Sequence, residues 1–137
     1  MRHEIIPCLR YEDAPRAIAF LCEAFGFVRQ AVFADPEDPH IVHHAQLLWQ
    51  DRMVMVSSAL PTPHSQAAGL KTPAEAGGST LGLYLVVADV DGHAERARAA
   101  GAVLLTQPED KPYGGRDYSA RDTEGYVWSF GSYDPWA

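Results

Sequence analysis

Two polar residues, His44 and Gln46, lie two positions apart in HIVHHAQLLW (residues 40–49), a stretch whose apolar residues are typical of a strand. Side chains alternate along a strand, so His44 and Gln46 share one face and the adjacent His43 points to the other. Two neutral ligands without a carboxylate hold a metal ion weakly. We therefore expect His44 and Gln46 to hydrogen-bond to each other, to the backbone or to a ligand. The remaining histidines are predicted to be solvated: His3, His40, His64 and His93.

Two arginines and a tyrosine are further candidates for ligand contact. Arg10 and Arg116 fall on predicted inward strand positions, where a guanidinium is costly unless it meets a carboxylate or a ligand anion. Each could instead lie at a strand end, with its head in solvent or paired with Asp or Glu. Tyr118 could donate to a ligand, serve as a general acid or form part of an apolar wall. Cys8 has apolar neighbours, which favours an inert buried thiol over a nucleophile.

Composition and charge narrow the classes of partner. The chain has 137 residues, of which 47% are apolar and 21% charged, as in an ordinary globular domain. Its net charge of −7, with no cluster of Lys and Arg, argues against nucleic acid as a partner. An acidic protein favours a small-molecule partner instead, and that molecule could be cationic. No apolar run is long enough for a signal peptide or a membrane span. Cys8 and Cys22 lack metal-type spacing, so a reduced, cytoplasmic chain is expected.

The chain contains an internal repeat of about 75 residues. Each half opens with a strand and continues into a helix, which Asp13 caps in the first half and Asp89 or Asp91 in the second. Gly26 and Gly101 are expected to end these helices. The strands that follow are predicted at residues 27–34, 40–49 and 53–59, and at residues 102–108, 116–122 and 125–132. This order predicts one α+β domain over residues 1–137 with two βαβββ modules, about 1–59 and 80–137.

A segment without periodicity separates the two modules. Residues 60–79, called the bridging segment below, are rich in Pro, Gly and Ala. Twenty residues without secondary structure are unusual inside a compact domain, so the segment is predicted to be either a flexible linker or a functional lid.

The face of each sheet that its helix leaves uncovered is predicted to wall an apolar cavity with a few polar groups. In the last strand the bulky residues Tyr126, Trp128 and Phe130 suit packing against a helix, which leaves Ser129 on the opposite face. The other predicted cavity-facing residues are Ile6, Cys8, Arg10, His44, Gln46, Leu48, Met53, Met55 and Ser57 in module one, and Leu83, Leu85, Val87, Arg116, Tyr118, Ala120, Val127 and Gly131 in module two.

Three stretches together resemble the vicinal oxygen chelate superfamily, which includes glyoxalase I, extradiol dioxygenases, and fosfomycin and bleomycin resistance proteins. They are CLRYEDAPRAIAFLCEAFGF, HAQLLWQDRMVMVSS and RDTEGYVWSFG, the last with Thr123 where the family often has proline. The resemblance implies two βαβββ modules that form a curved mixed sheet around a cavity. The positions at which metal-using members place His, Glu or Gln correspond here to Ile6, Met55, Leu83 and Ser129. None of these is a usual N or O ligand for a divalent metal.

The resulting hypothesis is a metal-independent, cofactor-free binding protein of the bleomycin-resistance type, which sequesters an amphipathic compound that could be cationic. The resemblance also implies a homodimer, and Trp136 is expected to dock on the domain or on a second subunit. The alternative is an enzyme, a lyase, isomerase or dioxygenase, with a displaced metal at His44 and Gln46 or with metal-free acid–base catalysis. The predicted ligand-binding residues are Arg10, His44, Gln46, Met55, Leu83, Arg116, Tyr118 and Ser129. The identity of the ligand stays open. It also stays open whether the modules pair within one chain or swap between two chains.

Overall fold

A computed structural model describes residues 1–137 and contains two four-stranded mixed sheets. In module one, β1 (Cys8–Tyr11) leads into α1 (Ala14–Phe20), which continues as a π-helical turn (Leu21–Phe25). Three strands follow: β2 (Val28–Ala34), β3 (Val42–Trp49) and β4 (Arg52–Ser58). In module two, β5 (Gly82–Val86) and α4 (Val90–Ala99) precede β6 (Val103–Asp110), β7 (Arg116–Arg121) and β8 (Val127–Gly131). The predicted pair of βαβββ modules and the α+β class are confirmed.

The residues that were predicted to cap and to end the helices do so in the structure. The Asp13 carboxylate accepts a hydrogen bond from the backbone N–H of Arg16, and Asp89 caps α4 in the same way through Gly92. Gly26 ends the first helix in the left-handed conformation, at φ +91°, which glycine adopts without a steric penalty.

Both sheets have the same strand order, which reflects the internal repeat. The order is β1-β4-β3-β2 in the first sheet and β5-β8-β7-β6 in the second. The opening strand runs parallel to the last strand of its module, and the remaining neighbours are antiparallel. Consequently β1 and β5 are edge strands with a single neighbour each.

The helices of the two modules share one apolar core. Phe25, in the π-helical turn of module one, packs against Trp128 and Phe130 of β8, with ring centroids 5.6 and 4.8 Å apart. Arg96 of α4 donates hydrogen bonds to the carbonyls of Cys22 and Glu23, at 3.1 and 3.0 Å. The hydrophobic cluster thus extends across both halves of the chain.

The bridging segment contains two short helices, α2 (Pro63–Ala68) and α3 (Pro73–Ala76). Each begins with a reciprocal capping box, between Thr62 and Ser65 and between Thr72 and Glu75. Thr72 is buried, so α3 is anchored to the rest of the protein.

In module two, two of the strands turn the opposite residues towards the helix from those that the sequence predicted. Tyr118 and Ala120 of β7 lie opposite Phe130 and Trp128 of β8, and both are fully buried on the helix side. Leu83 of β5 is likewise aligned with Trp128 and packs against the core. The prediction for these strands was wrong by one residue, and with a period of two such an error exchanges the faces.

No helix of this structure is both long enough and apolar enough to cross a membrane.

Candidate functional site

A cavity of about 600 Å³ lies between the sheet of module one and the bridging segment. Its floor is the helix-free face of that sheet, meaning the face opposite α1. Its walls come from the bridging segment, residues 80–81 and the ring of Tyr126. The apolar lining includes Met55, Leu70, Pro73 and Leu81, and the volume is ample for a drug-sized molecule.

Strand alternation places the floor residues. Cys8 of β1 is aligned with Met55 of the parallel strand β4, and Arg10 with Ser57. These four residues line the cavity; Leu9 and Val56 between them also border it but are almost fully buried, at 1% exposure each. The cavity-facing set predicted for β1 and β4 is therefore correct for Cys8, Arg10, Met55 and Ser57.

His43 and His44 both line the cavity, although strict alternation predicts opposite directions. The register between β2 and β3 shifts at this point: Phe33 pairs with His44, but the next residue, Ala34, pairs with Val42. His43 is the extra residue of a β-bulge, and a bulge interrupts the alternation of side chains. The His43 ring also contacts the Asp35 carboxylate at 2.9 Å, and this hydrogen bond lowers the pKa of Asp35.

The predicted pairing of His44 with Gln46 is present. His44 Nε2 lies 2.9 Å from Gln46 Oε1, and the Gln46 amide donates to Gln30 Oε1 at 2.6 Å. Because an amide oxygen only accepts, His44 Nε2 is the donor of this bond. His44 lines the cavity. Gln46, two residues further along β3, lies outside the cavity and accepts the hydrogen bond from the His44 ring.

Arg10 is the one arginine that lines the cavity, and a tyrosine of module two hydrogen-bonds to its backbone. The Tyr126 hydroxyl lies 3.2 Å from both the backbone N and the carbonyl O of Arg10. The Arg10 guanidinium donates one hydrogen bond, from Nη2 to the carbonyl of Leu60 at 2.8 Å. It has no carboxylate partner within 4 Å, which excludes the predicted alternative of an ion pair.

The other arginine and the tyrosine predicted as ligand contacts lie outside this cavity. Arg116 pairs with Asp91 of α4 at 2.9 Å and with Asp110 of β6 at 3.3 Å, an arrangement that raises the pKa of its guanidinium. The Tyr118 hydroxyl lies 2.5 Å from His93 Nδ1, and burial raises its pKa well above the ordinary value.

Two histidines predicted to be solvated have defined surroundings. His64 of α2 lines the cavity. His93 is half-buried, and its Nε2 donates to the Phe25 carbonyl at 3.0 Å, so its Nδ1 accepts from Tyr118. Burial lowers the pKa of His93. Helical periodicity placed His93 at an exposed helix start, but the first helix packs over this part of α4.

Ser129 and Leu83 also lie outside the cavity. Ser129 Oγ is 2.7 Å from Ser119 Oγ on the helix-free face of module two, as its predicted face requires. The residue aligned with it on β5 is Tyr84 rather than Leu83, and the residue aligned with Met55 is Cys8 rather than Ile6. The structure thus does not align Ile6 with Met55 or Leu83 with Ser129. It contains no group of three His, Cys, Asp or Glu residues arranged to hold a metal ion.

Sequence reasoning missed Lys71, and it treated His43 and His64 as remote from the site. Lys71 and His64 lie in the bridging segment, which has no periodicity that would give their direction. The available signal was its length and composition, which predicted a lid as one of two alternatives.

The fold agrees with the comparisons to known proteins. The chain belongs to the Glyoxalase/Bleomycin resistance protein/Dioxygenase superfamily, whose family model matches residues 5–130. This confirms the resemblance to the vicinal oxygen chelate proteins.

Relatives and solved structures cover nearly the whole chain. The uncharacterized protein Rv0887c of Mycobacterium tuberculosis is 35% identical over 127 residues, which are 91% of this chain and 71% of that protein. The crystal structure of TioX from Micromonospora sp. ML1 has 32% identity and a TM-score of 0.70 and covers 94% of each chain. The fosfomycin resistance protein FosX from Mesorhizobium loti, 16% identical with a TM-score of 0.66 over 98% of this chain and 95% of its own, shares the fold.

Proposed function

We propose that the protein binds and sequesters an amphipathic small molecule in the cavity beneath the bridging segment, without a metal ion. The observation that carries this proposal is the construction of the cavity: one wall is a rigid strand floor and the other is a pair of short capped helices. Apolar residues, including Met55 and Leu70, alternate with a few polar groups, an arrangement typical of ligand sites.

The residues aligned with the family's metal positions support binding rather than metal chemistry. Ile6, Met55, Leu83 and Ser129, which the resemblance places at those positions, include no imidazole or carboxylate. His44 and Gln46, the candidates for a displaced metal, are hydrogen-bonded to each other.

A substitution that fills the cavity tests the binding site. The probe is N-phenyl-1-naphthylamine, a neutral aromatic compound whose fluorescence rises in apolar surroundings. Met55→Trp places a large ring on the cavity floor and should abolish probe binding. The matched control is Val32→Trp, at an exposed position of β2 outside the cavity, which should leave binding unchanged. Equal binding by both variants would place the probe elsewhere and contradict the proposed site.

Metal analysis distinguishes the binding protein from the alternative enzyme. The protein is purified without chelator, and its Ni, Zn, Mn and Fe contents are measured. We expect substoichiometric metal and unchanged probe binding after treatment with EDTA. A stoichiometric metal that is lost in His44→Ala would favour an enzyme with a displaced site.

We further infer a homodimer, because apolar residues are exposed on surfaces that one chain leaves uncovered. Tyr84 and Val86 of the edge strand β5 are 44% and 40% exposed, and Trp136 in the C-terminal tail is 95% exposed. Trp136 therefore does not dock on its own domain. Light scattering after size-exclusion chromatography should give twice the chain mass, and Trp136→Ser combined with Tyr84→Arg should give the monomer. A monomeric wild-type protein would contradict the inference.

A cytoplasmic location is also part of the proposal. It is supported by two free cysteines, of which Cys8 is exposed and would be prone to oxidation in an oxidising compartment.

A further inference from the structure

The charge of the cavity is opposite to the charge of the whole chain. The protein carries a net charge of −7, yet the lining contains Arg10 and Lys71 and no aspartate or glutamate. Three histidines also line the cavity, together with three hydroxyl residues: His43, His44, His64, Ser57, Thr72 and Thr80. The sequence favoured a cationic ligand on the basis of net charge, but a binding site responds to the charges that line it.

Most donors of the Arg10 guanidinium have no acceptor in the protein. A guanidinium has five N–H donors, and Arg10 uses one, to the Leu60 carbonyl. The other arginines close to carboxylates form ion pairs, as Arg116 does with Asp91. A half-buried arginine that faces a cavity with free donors is arranged to bind an oxyanion, often through two parallel hydrogen bonds.

Lys71 adds a second cation from the opposite wall. Lys71 lies in the loop between α2 and α3, lines the cavity and is exposed, and it forms no ion pair with a carboxylate within 4 Å. Arg10 and Lys71 therefore approach the same space from the strand floor and from the bridging segment.

Two carboxylates close to the cavity are already engaged. Glu75 accepts hydrogen bonds from the backbone N–H and the hydroxyl of Thr72, and the first of these is the main cause of its lowered pKa. Arg10 and Lys71 lower it further through their charge. Asp35 is held by His43 and by two backbone N–H groups. Neither carboxylate lines the cavity, so a ligand there meets the two cations directly, while the nearby charge of Glu75 weakens their field.

We propose that this cavity selects amphipathic ligands that carry an oxyanion, which Arg10 and Lys71 bind while Met55, Leu70 and Leu81 contact the apolar part. A carboxylate, sulfonate or phosphate group satisfies the same donors. This proposal rests on the proposed function, since it specifies the ligand class of the same site, and Arg10 and Lys71 are its specificity-determining residues.

Two probes with the same aromatic scaffold test the proposal. The anionic probe is 8-anilino-1-naphthalenesulfonate, and the neutral probe, N-phenyl-1-naphthylamine, lacks only the sulfonate. Both are titrated by fluorescence into wild-type protein, Lys71→Gln, Arg10→Gln/Lys71→Gln and a control, Arg16→Gln. Arg16 is exposed, lies outside the cavity and has no ion pair, so its substitution removes one positive charge, as Lys71→Gln does.

The wild-type protein and the control should bind the sulfonate at least about tenfold more tightly than the neutral probe, and added salt should reduce this preference. Lys71→Gln should lose part of the preference, measured as the ratio of the two affinities, and the double variant should lose all of it. Circular dichroism melting establishes that each variant is folded.

Each remaining outcome opposes the proposal. If the neutral probe binds as tightly as the sulfonate, or if the preference survives in the double variant, the ligand class is wrong and the binding site stands. If neither probe binds the wild-type protein, the proposed function fails and the ligand class fails with it.

Discussion

The Tyr11 hydroxyl of module one donates a 2.5 Å hydrogen bond to the Asp122 carboxylate in the β7–β8 turn of module two. The residues are 111 positions apart, and both are buried. The same carboxylate accepts from Trp128 Nε1 at 3.0 Å and from the backbone N–H groups of Glu124 and Tyr126. Burial, followed by the charge of Asp122, raises the pKa of Tyr11 well above its ordinary value. This contact joins the strand that carries Arg10 to the second module.

Asp122→Ala should therefore destabilise the protein by about 3 kcal/mol, because it leaves two buried donors, on Tyr11 and Trp128, without an acceptor. Tyr11→Phe should cost about 1.5 kcal/mol, since it removes one donor and keeps the ring. Urea unfolding followed by tryptophan fluorescence measures both values. Asp51→Ala, at an exposed position with surface ion pairs only, is the control and should change stability by less than about 0.5 kcal/mol. An equally small effect of Asp122→Ala would contradict this account.

Stability should fall as the pH decreases from 8 towards 5.5, in part because of His93. Burial, which Arg96 reinforces through its charge, lowers the pKa of His93 in the folded chain, although the hydrogen bond to Phe25 opposes this effect. The unfolded chain then takes up the proton first, near the ordinary pKa of about 6.5, and is stabilised relative to the folded chain. The loss begins around that pH and is complete below the lowered folded-state pKa.

Urea midpoints measured at several pH values between 5.5 and 8 test this dependence. In His93→Gln the pH dependence should be weaker than in the wild-type protein, whatever the variant's stability at pH 8. His3→Gln, whose ring makes no hydrogen bond, is the matched control and should retain the wild-type dependence. If the wild-type protein and His93→Gln had identical pH profiles, the pH dependence of stability would come from titratable groups other than His93.

Thr123→Val should stabilise the protein by about 1 kcal/mol. The Thr123 hydroxyl is buried without a hydrogen-bond partner, and valine has nearly the same shape without the cost of an unpaired polar group. Thr106→Val is the matched control, because the Thr106 hydroxyl accepts from the backbone N–H of Ser119 at 3.0 Å. That variant should be destabilised by about 1 kcal/mol, as measured by thermal and urea unfolding. Loss of stability in Thr123→Val would show that its hydroxyl is satisfied.

Thr72→Val should loosen the bridging segment with little effect on the rest of the fold. It removes the cap of α3, a loss of about 1 kcal/mol, while the buried side chain keeps its volume. We expect faster hydrogen exchange in residues 70–78 and faster dissociation of N-phenyl-1-naphthylamine in stopped-flow experiments. Thr80→Val, which changes a cavity residue without a capping bond, should not increase exchange. Unchanged exchange and dissociation in Thr72→Val would argue against a lid.

The helices and the order of the strands could be predicted because their signals are local. Asp13, Asp89 and Gly26 determine helix ends through contacts within a few residues, and the repeat of these signals predicts the two modules. The alternation along β1 and β4 likewise places Arg10 and Met55 on the cavity floor.

Which face Tyr118 and Leu83 occupy was decided by pairing between strands. Tyr118 lies opposite Phe130, and Leu83 is aligned with Trp128, so both face the core. A turn that differs by one residue would have exchanged the faces, and each strand taken alone permits either arrangement. The bulge at His43 is a similar case, since it exists only relative to β2.

The amino-acid sequence by itself determined the two βαβββ modules, the caps of their helices and the absence of imidazole and carboxylate ligands at Met55 and Ser129. The tertiary structure decided where the cavity lies and what charge it has. Arg10 and Lys71 are 61 positions apart, and they line one cavity because the bridging segment folds back over the strand floor. Net charge and local periodicity do not show which residues line a cavity, because a shared lining arises from packing between distant parts of the chain.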